Sequence, residues 1–448
     1  MPLSDNTRKR PISLNESYDI VRSGVGTYFT ISDPGEKQLW VWGYNAHGEL
    51  PVGDRIPRSS GIQIPGSNWQ EVSVGNHHML GLKSDGTLWS WGYNNHAMLG
   101  QCGVNPNSSP NQLPGTNWCY VSAGDCHSLA LKCDGTLWTW GHNNWGQLGL
   151  TDCCCGWAGG VGCCKCMYAC PRQVAGTTWK CAQITHYSVI GLKCDGTLWS
   201  WGHGGHGQLG ICCVVCPYPG TCCSPVTLNP ATGCNYPCCT GPTDLGPSFS
   251  SPTQIPGTNW TTLTMGANLA FATKTDGTLW GWGHNPHGAI GNCSTTDVYC
   301  PVQLPGSNWV EIKARSHGFI GRRSDNTLWS WGQGCSGQNA EVNTTADRSS
   351  PIQIPGIWIR IGRNGFYSRT SHATKSDCTL WGWGPQDHGE LGRTPWTSSN
   401  CGGAYQAFDQ WGWGHNYEAF SSPTLIAGTC WLCGSNSRHS TAWIKCSG

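Results

Sequence analysis

Residues 118–149 read W-C-Y-V-S-A-G-D-C-H-S-L-A-L-K-C-D-G-T-L-W-T-W-G-H-N-N-W-G-Q-L-G. Val121, Leu129, Leu131, Leu137 and Trp138 sit in short apolar runs that favour strands. Asp134-Gly135, between two such runs, predicts a type I′ hairpin turn, in which glycine tolerates the required positive φ. Asp85-Gly86, Asp195-Gly196 and Asp276-Gly277 repeat the turn, and Asp325-Asn326 places the next most tolerant left-handed residue there. Asp377-Cys378 breaks the rule. The interval from Trp358 to Trp381 is also 23 residues, against 20 from Trp69 to Trp89, so a distorted turn is expected there.

The unit recurs. Leu-Trp-x-Trp-Gly begins at Leu39, Leu88, Leu137, Leu198, Leu279, Leu328 and Leu380, and the steps from 39 to 88, 88 to 137 and 279 to 328 are each 49 residues. A lone tryptophan opens each repeat, at Trp69, Trp118, Trp179, Trp260, Trp309, Trp358 and Trp431. A regular period of this length signals a solenoid or a propeller. The repeat opened by Trp431 stops at its hairpin and lacks its own Leu-Trp-x-Trp-Gly, while Leu39–Gly43 has no lone tryptophan before it. The two halves complete one repeat. The expectation is an all-β, seven-bladed β-propeller closed by pairing the N-terminal strand with the C-terminal blade, which removes exposed sheet edges.

The pattern G-x-x-H-S-L-A-L-x-x-D-G-x-L-W-x-W-G-x-N-x-x-G-Q-L-G resembles the regulator-of-chromosome-condensation repeat family over about residues 36 to 448. The resemblance implies a seven-bladed propeller with this end-to-end closure. It also implies the family's best-known role, nucleotide exchange on a small GTPase with chromatin docking. Fold alone does not carry function.

The chain departs from the basic repeat in three places. Gly100 to Trp118 spans 18 residues, whereas Gly149 to Trp179 spans 30, Gly210 to Trp260 spans 50 and Gly392 to Trp431 spans 39. The extra segments, near 151–170, 211–251 and 393–422, enter at the same point of the repeat and therefore on the same face of the disc. Long loops on a rigid scaffold are where binding concentrates. Residues 1–35 read as an extended arm that self-assembly could order on a neighbouring subunit.

Composition narrows the function classes. Lys+Arg is 26 and Asp+Glu 25, a net charge of +1, so no basic face for nucleic acid is expected. No stretch of 18 apolar residues would span a membrane. Met1–Asn15 is polar and lacks the apolar region of a secretory signal.

The 29 cysteines are the anomaly. Fifteen fall in the first two insertions: Cys153, Cys154, Cys155, Cys163, Cys164, Cys166 and Cys170, then Cys212, Cys213, Cys216, Cys222, Cys223, Cys234, Cys238 and Cys239. They read as disulfide staples for loops too poor in apolar residues to pack alone, or as a thiolate metal site. Only Cys213-x-x-Cys216 has metal-like spacing without an intervening cysteine. In the third insertion Trp396, Tyr405, Phe408, Trp411, Trp413 and Tyr417 form an aromatic group able to stack on sugars or anchor a protein.

Histidines occupy a common position, five residues after the motif's second tryptophan, at His47, His96, His206, His287 and His388, with Trp145 and Ser336 in the other two places. Trp145 points to a flat ring packed over a glycine turn; the alternative is an imidazole ring that binds metal or senses pH. His78 and His127 read as packing residues. Most acids sit in Asp-Gly turns, so no acid/base pair and no catalytic residue emerge.

The expected function is a non-catalytic scaffold for protein or glycan recognition, without cofactor, on an extracellular or virion surface. The alternatives are an exchange-type regulator of a small GTPase and a metal-dependent enzyme using the cysteine-rich loops.

Overall fold

The computed structural model describes residues 37–150, 167–212, 248–315, 317–334, 337–341, 346–364, 370–386, 391, 405–408, 414–428, 431–436 and 440–446. Residues 1–35, read as an arm, lie outside them. The described residues form seven β-sheets, one per repeat, and contain no helix. Blades 1 to 6 begin at the lone tryptophans Trp69, Trp118, Trp179, Trp260, Trp309 and Trp358; blade 7 begins at Trp431. Blade 2 is typical. Its strands Trp118–Ala123, His127–Lys132, Leu137–His142 and Met167–Gln173 run antiparallel from the inner to the outer edge.

Closure follows the expected route. In blade 7, Trp431–Asn436 and Ser440–Cys446 come from the C-terminus, and Lys37–Gly43 and Arg58–Ile64 from the other end of the chain. The join runs in register from Lys37 opposite Cys446 to Gly43 opposite Ser440.

The hairpin turns differ from the type I′ expectation. The Gly135 N–H donates to the Lys132 carbonyl at 3.0 Å, and Gly135 has φ 81°. Neither Cys133 nor Asp134 is at positive φ, which type I′ requires at both central residues. The turn is therefore type I closed by one left-handed residue. Asp134 explains the preference, because its Oδ1 accepts the Thr136 N–H at 2.9 Å and the Thr136 hydroxyl at 2.6 Å.

Asp377-Cys378 is not distorted either. Cys378 takes the left-handed place at φ 61°, and Asp377 Oδ1 accepts the Thr379 N–H at 3.0 Å and hydroxyl at 2.6 Å. The extra residues are absorbed instead by the inner strand of blade 6, which is split. Arg360–Ile361 pairs within its own blade, while Arg363–Asn364 pairs in parallel with Trp431–Asn436 of blade 7. The irregularity thus adds a link beside the point of closure.

The core lies between blades. Seven buried apolar clusters sit at the seven junctions; the one between blades 1 and 2 joins Leu80, Leu82 and Leu88 to Trp118, Val121 and Trp140. The second tryptophan of each motif is the pin. Trp140 is fully buried and its indole N–H donates to the Met98 carbonyl of blade 1 at 2.8 Å. Trp91, Trp201, Trp282 and Trp383 reach the preceding blade in the same way, at 2.9 to 3.1 Å. These five pins supply apolar area, and each satisfies a loop carbonyl that burial would otherwise leave costly.

Candidate functional site

Antiparallel alternation puts two connections of every blade on one face: inner strand to second, and third strand to outer. The third-to-outer connection is shaped by asparagine. Oδ1 of Asn45, Asn94, Asn143 and Asn285 accepts the N–H of the residue five positions on, at 2.8 to 3.0 Å. This local closure fixes the ring at the histidine position, which then packs against the following blade rather than over its own glycine turn.

His47 meets His77 and Tyr93 with ring centroids 5.2 and 5.0 Å apart; His96 meets His142 at 5.3 Å, and Trp145 meets His203 at 4.7 Å. His206 meets His284 at 4.4 Å and His287 meets His317 at 5.4 Å. His388 and Ser336 lie outside the described residues. Burial lowers His142 and His203 to about 4, with His96 and His206 nearby adding to the effect, so both rings are neutral at pH 7.

Carboxylates that sequence reading had no reason to place on this face meet these rings. Gln147 and Gln208 each accept the backbone N–H two residues earlier and extend their amides to His142 and His203. Glu49 stands at the same position and accepts the His47 N–H at 2.9 Å, and its other oxygen lies 3.3 Å from His77 Nδ1. Asp125 Oδ1 accepts from the Asn76 amide at 2.9 Å, while Oδ2 lies 3.1 Å from His186 Nε2. Asp297 and Asp347 hold equivalent places. One oxygen of each accepts a backbone N–H, of Asn285 at 2.8 Å and Gly334 at 3.0 Å. The other faces the preceding blade, 3.6 Å from His206 Nδ1 and 2.8 Å from His287 Nδ1. A glutamate where the repeat has glutamine was the one legible signal. Among the described residues two groups, His47/Glu49/His77 and His206/His284/Asp297, bring three potential ligand atoms within 4.8 Å of one another.

His78 and His127 are packing residues, fully buried and lowered to about 3 by that burial. Blade 5 has Gly318 at this register position. The Arg315 guanidinium fills the space: a Cβ on Gly318 would meet Nη2 at 2.8 Å. Arg315 is buried, its pKa lowered to about 9 by desolvation, and it donates to Ser330 Oγ at 3.1 Å and Asn339 Oδ1 at 2.9 Å.

Two members of the cysteine group are described, and neither pairs within that group. Cys170 on the outer strand of blade 2 is bonded to Cys102 in the blade 1 connection. Cys212 in the blade 3 connection is bonded to Cys300 on the outer strand of blade 4. Both bridges join neighbouring blades at the rim, at the roots of the insertions. Cys119–Cys133 joins the inner strand of blade 2 to its hairpin turn. Cys153, Cys154, Cys155, Cys163, Cys164, Cys166, Cys213, Cys216, Cys222, Cys223, Cys234, Cys238 and Cys239 lie outside the described residues, as do Trp396, Trp411 and Trp413. Tyr405 and Phe408 lie on the strand Tyr405–Phe408, which pairs with Gly414–Ile426 so that Tyr405 stands opposite Tyr417.

The opposite face carries the hairpin turns. A lysine or arginine at or near the end of the second strand lies over tryptophan rings in every blade, 3.9 to 5.7 Å from the ring centroids.

Comparison with known proteins agrees with this architecture. Two models of the regulator of chromosome condensation (RCC1) repeat match the chain, one over residues 69–97 and 118–147, the other over 85–131, 134–185 and 276–317. No curated protein matches it. Among solved structures, Prp20p from Saccharomyces cerevisiae, characterised for its binding to Gsp1p and histones, superposes with a TM-score of 0.71. Identity is 16%, over 97% of this chain and 95% of that one. Human WBSCR16 gives 0.68 at 17% identity over 92% and 99%, and yeast RCC1 (Prp20) in complex with Kap60 gives 0.70 at 17% over 100% and 97%. At these identities the likeness concerns the fold. Seven copies of the motif, the matching repeat models and the seven-sheet ring together show a propeller built from repeats of the regulator of chromosome condensation (RCC1) type.

Proposed function

We propose that the chain is a non-catalytic scaffold that recognises a protein partner through its insertion-bearing face. One observation carries this reading: at three blades the extra chain leaves the ring through the same third-to-outer connection. The opposite face keeps the short Asp-x-Thr turn in six blades. A rigid ring with one decorated face is a recognition architecture. The three disulfides among the described residues further support a working location outside a reducing cytoplasm, on an extracellular or virion surface.

The test replaces residues 213–247 with a short Gly-Ser link and compares partners by cross-linking mass spectrometry. A partner that cross-links to the insertions should be lost while the melting temperature is kept. Partners retained equally by both proteins, and cross-linked to the turn face, would sink the proposal.

A second reading is the exchange-type regulation of a small GTPase that resemblance to the RCC1 repeat family implies, with the likeness to Prp20p supporting the required scaffold. Accelerated release of a fluorescent guanine nucleotide from a small GTPase, at catalytic amounts of the propeller, would favour it over the first.

A further inference from the structure

The junction between blades 3 and 4 carries a side-chain cluster that neither the repeat pattern nor the recognition reading uses. His206 comes from the blade 3 connection, His284 follows the third strand of blade 4, and Asp297 lies in the blade 4 connection. We propose that His206, His284 and Asp297 bind a divalent transition-metal ion of the zinc class, clasping the two blades together.

The donor set is the first argument. Two imidazole nitrogens and one carboxylate oxygen suit zinc and its first-row neighbours, whereas calcium and magnesium want oxygen alone. Spacing is the second. Ligand atoms of a tetrahedral site with bonds of about 2.0 Å lie roughly 3.3 Å apart. Here all three lie within 4.8 Å, and His206 Nδ1 is already 3.6 Å from Asp297 Oδ2. Small side-chain rotations close the remainder.

The third argument is an unused atom. His284 Nδ1 is buried among the described residues and has no hydrogen-bond partner, an arrangement that costs free energy unless something binds it. Its ring lies against that of His206 with centroids 4.4 Å apart and planes at 52°.

The fourth is outer support. Asp297 is oriented through its other oxygen by the Asn285 N–H at 2.8 Å, and Asn285 is fully buried. Gln208 holds the His206 backbone N–H at 2.8 Å. Such second partners fix ligand orientation. Three protein ligands on a partly exposed surface leave a fourth coordination position open to water or to a partner's side chain.

At the neighbouring blade 4–5 junction, by contrast, His287 and Asp347 form a 2.8 Å pair that no third ligand atom among the described residues joins.

The experiment uses the full chain with disulfides intact, stripped with chelator and titrated with Co²⁺, then with Zn²⁺ as competitor. Cobalt separates nitrogen and oxygen ligation from thiolate ligation spectroscopically, which matters in a chain with 29 cysteines. The expected result is one equivalent with d–d bands and no thiolate charge transfer at that site, weakened at least tenfold in H206Q and in D297N but unchanged in H287Q. Zinc should raise the melting temperature of the wild type and not that of H206Q, through binding to the folded state alone. The proposal is overturned if H206Q and D297N, both folded by circular dichroism, take up cobalt like the wild type, or if all uptake shows thiolate bands.

Discussion

The two faces of the ring are built from one repeat and have diverged by different amounts. On the turn face, six blades hold the same relay: an aspartate Oδ1 accepts the hydroxyl of a threonine two residues on at 2.6 Å. That threonine accepts the next tryptophan's indole N–H at 2.9 to 3.0 Å. On the other face the equivalent ring is histidine in some blades and tryptophan in blade 2, and the carboxylates that meet the ring belt come from three different repeat positions. The reason is where each contact closes. The turn relay lies within five consecutive residues, so one short motif reproduces it. The ring belt crosses between blades, so each junction needs only its own complementarity and can drift alone.

The largest expected effect tests what both faces share. Trp140→Ala removes a buried pin and its hydrogen bond to the Met98 carbonyl. It should cost about 3–5 kcal/mol by chemical denaturation. A loss near 1 kcal/mol would mean that the junctions do not carry the fold.

Acid separates the faces. His78 and His127 have folded pKa values of about 3, below the unfolded 6.5, so unfolding takes up protons as pH falls below 6.5. Each should cost about 2 kcal/mol by pH 5, and the loss should continue toward pH 3. The turn aspartates have lowered pKa values, chiefly through the threonine hydroxyl, then its N–H. Their contribution is present above the unfolded value and is lost only as pH falls through the folded one. A stability curve flat from pH 7 to 5 would contradict the histidine assignment.

Rim bridging can be extended by one junction. The Cys293 N–H donates to the Ser349 carbonyl at 2.9 Å, just as Cys102 donates to Ala169, whose next residue Cys170 completes the bridge. Cys293 is an exposed free thiol. Ser350→Cys should therefore form a disulfide, lose a titratable thiol and gain about 2 kcal/mol. An unchanged thiol reactivity of Cys293 would show that the junction geometry differs.

The smallest effect belongs to the regular face. Lys132→Ala removes a cation 4.5 Å from the Trp138 centroid and 5.1 Å from that of Trp118. It should cost about 0.5–1 kcal/mol, nearly the same as Lys193→Ala. Unequal losses would mean that the sevenfold likeness is geometric only.

Errors in sequence reading cluster where the chain alone is ambiguous. Asp-Gly is legible as a turn, yet its type depended on which residues take positive φ. The long interval before Trp381 was legible as an irregularity, but its place was not. Cys378 adopts the left-handed turn unaided, and the surplus residues go to the split inner strand that pairs with blade 7.

The blade number, the closure and the tryptophan positions were determined by the sequence alone, because the motif is local and its period is set by covalent spacing. Which residues meet across blades was decided only by tertiary structure. Cys102 finds Cys170 across 68 residues, Arg315 fills the space above Gly318, and Asp297 turns one oxygen toward His206. No period in the chain relates such partners. They meet because closing the ring presses each blade against a neighbour whose surface the repeat motif does not specify.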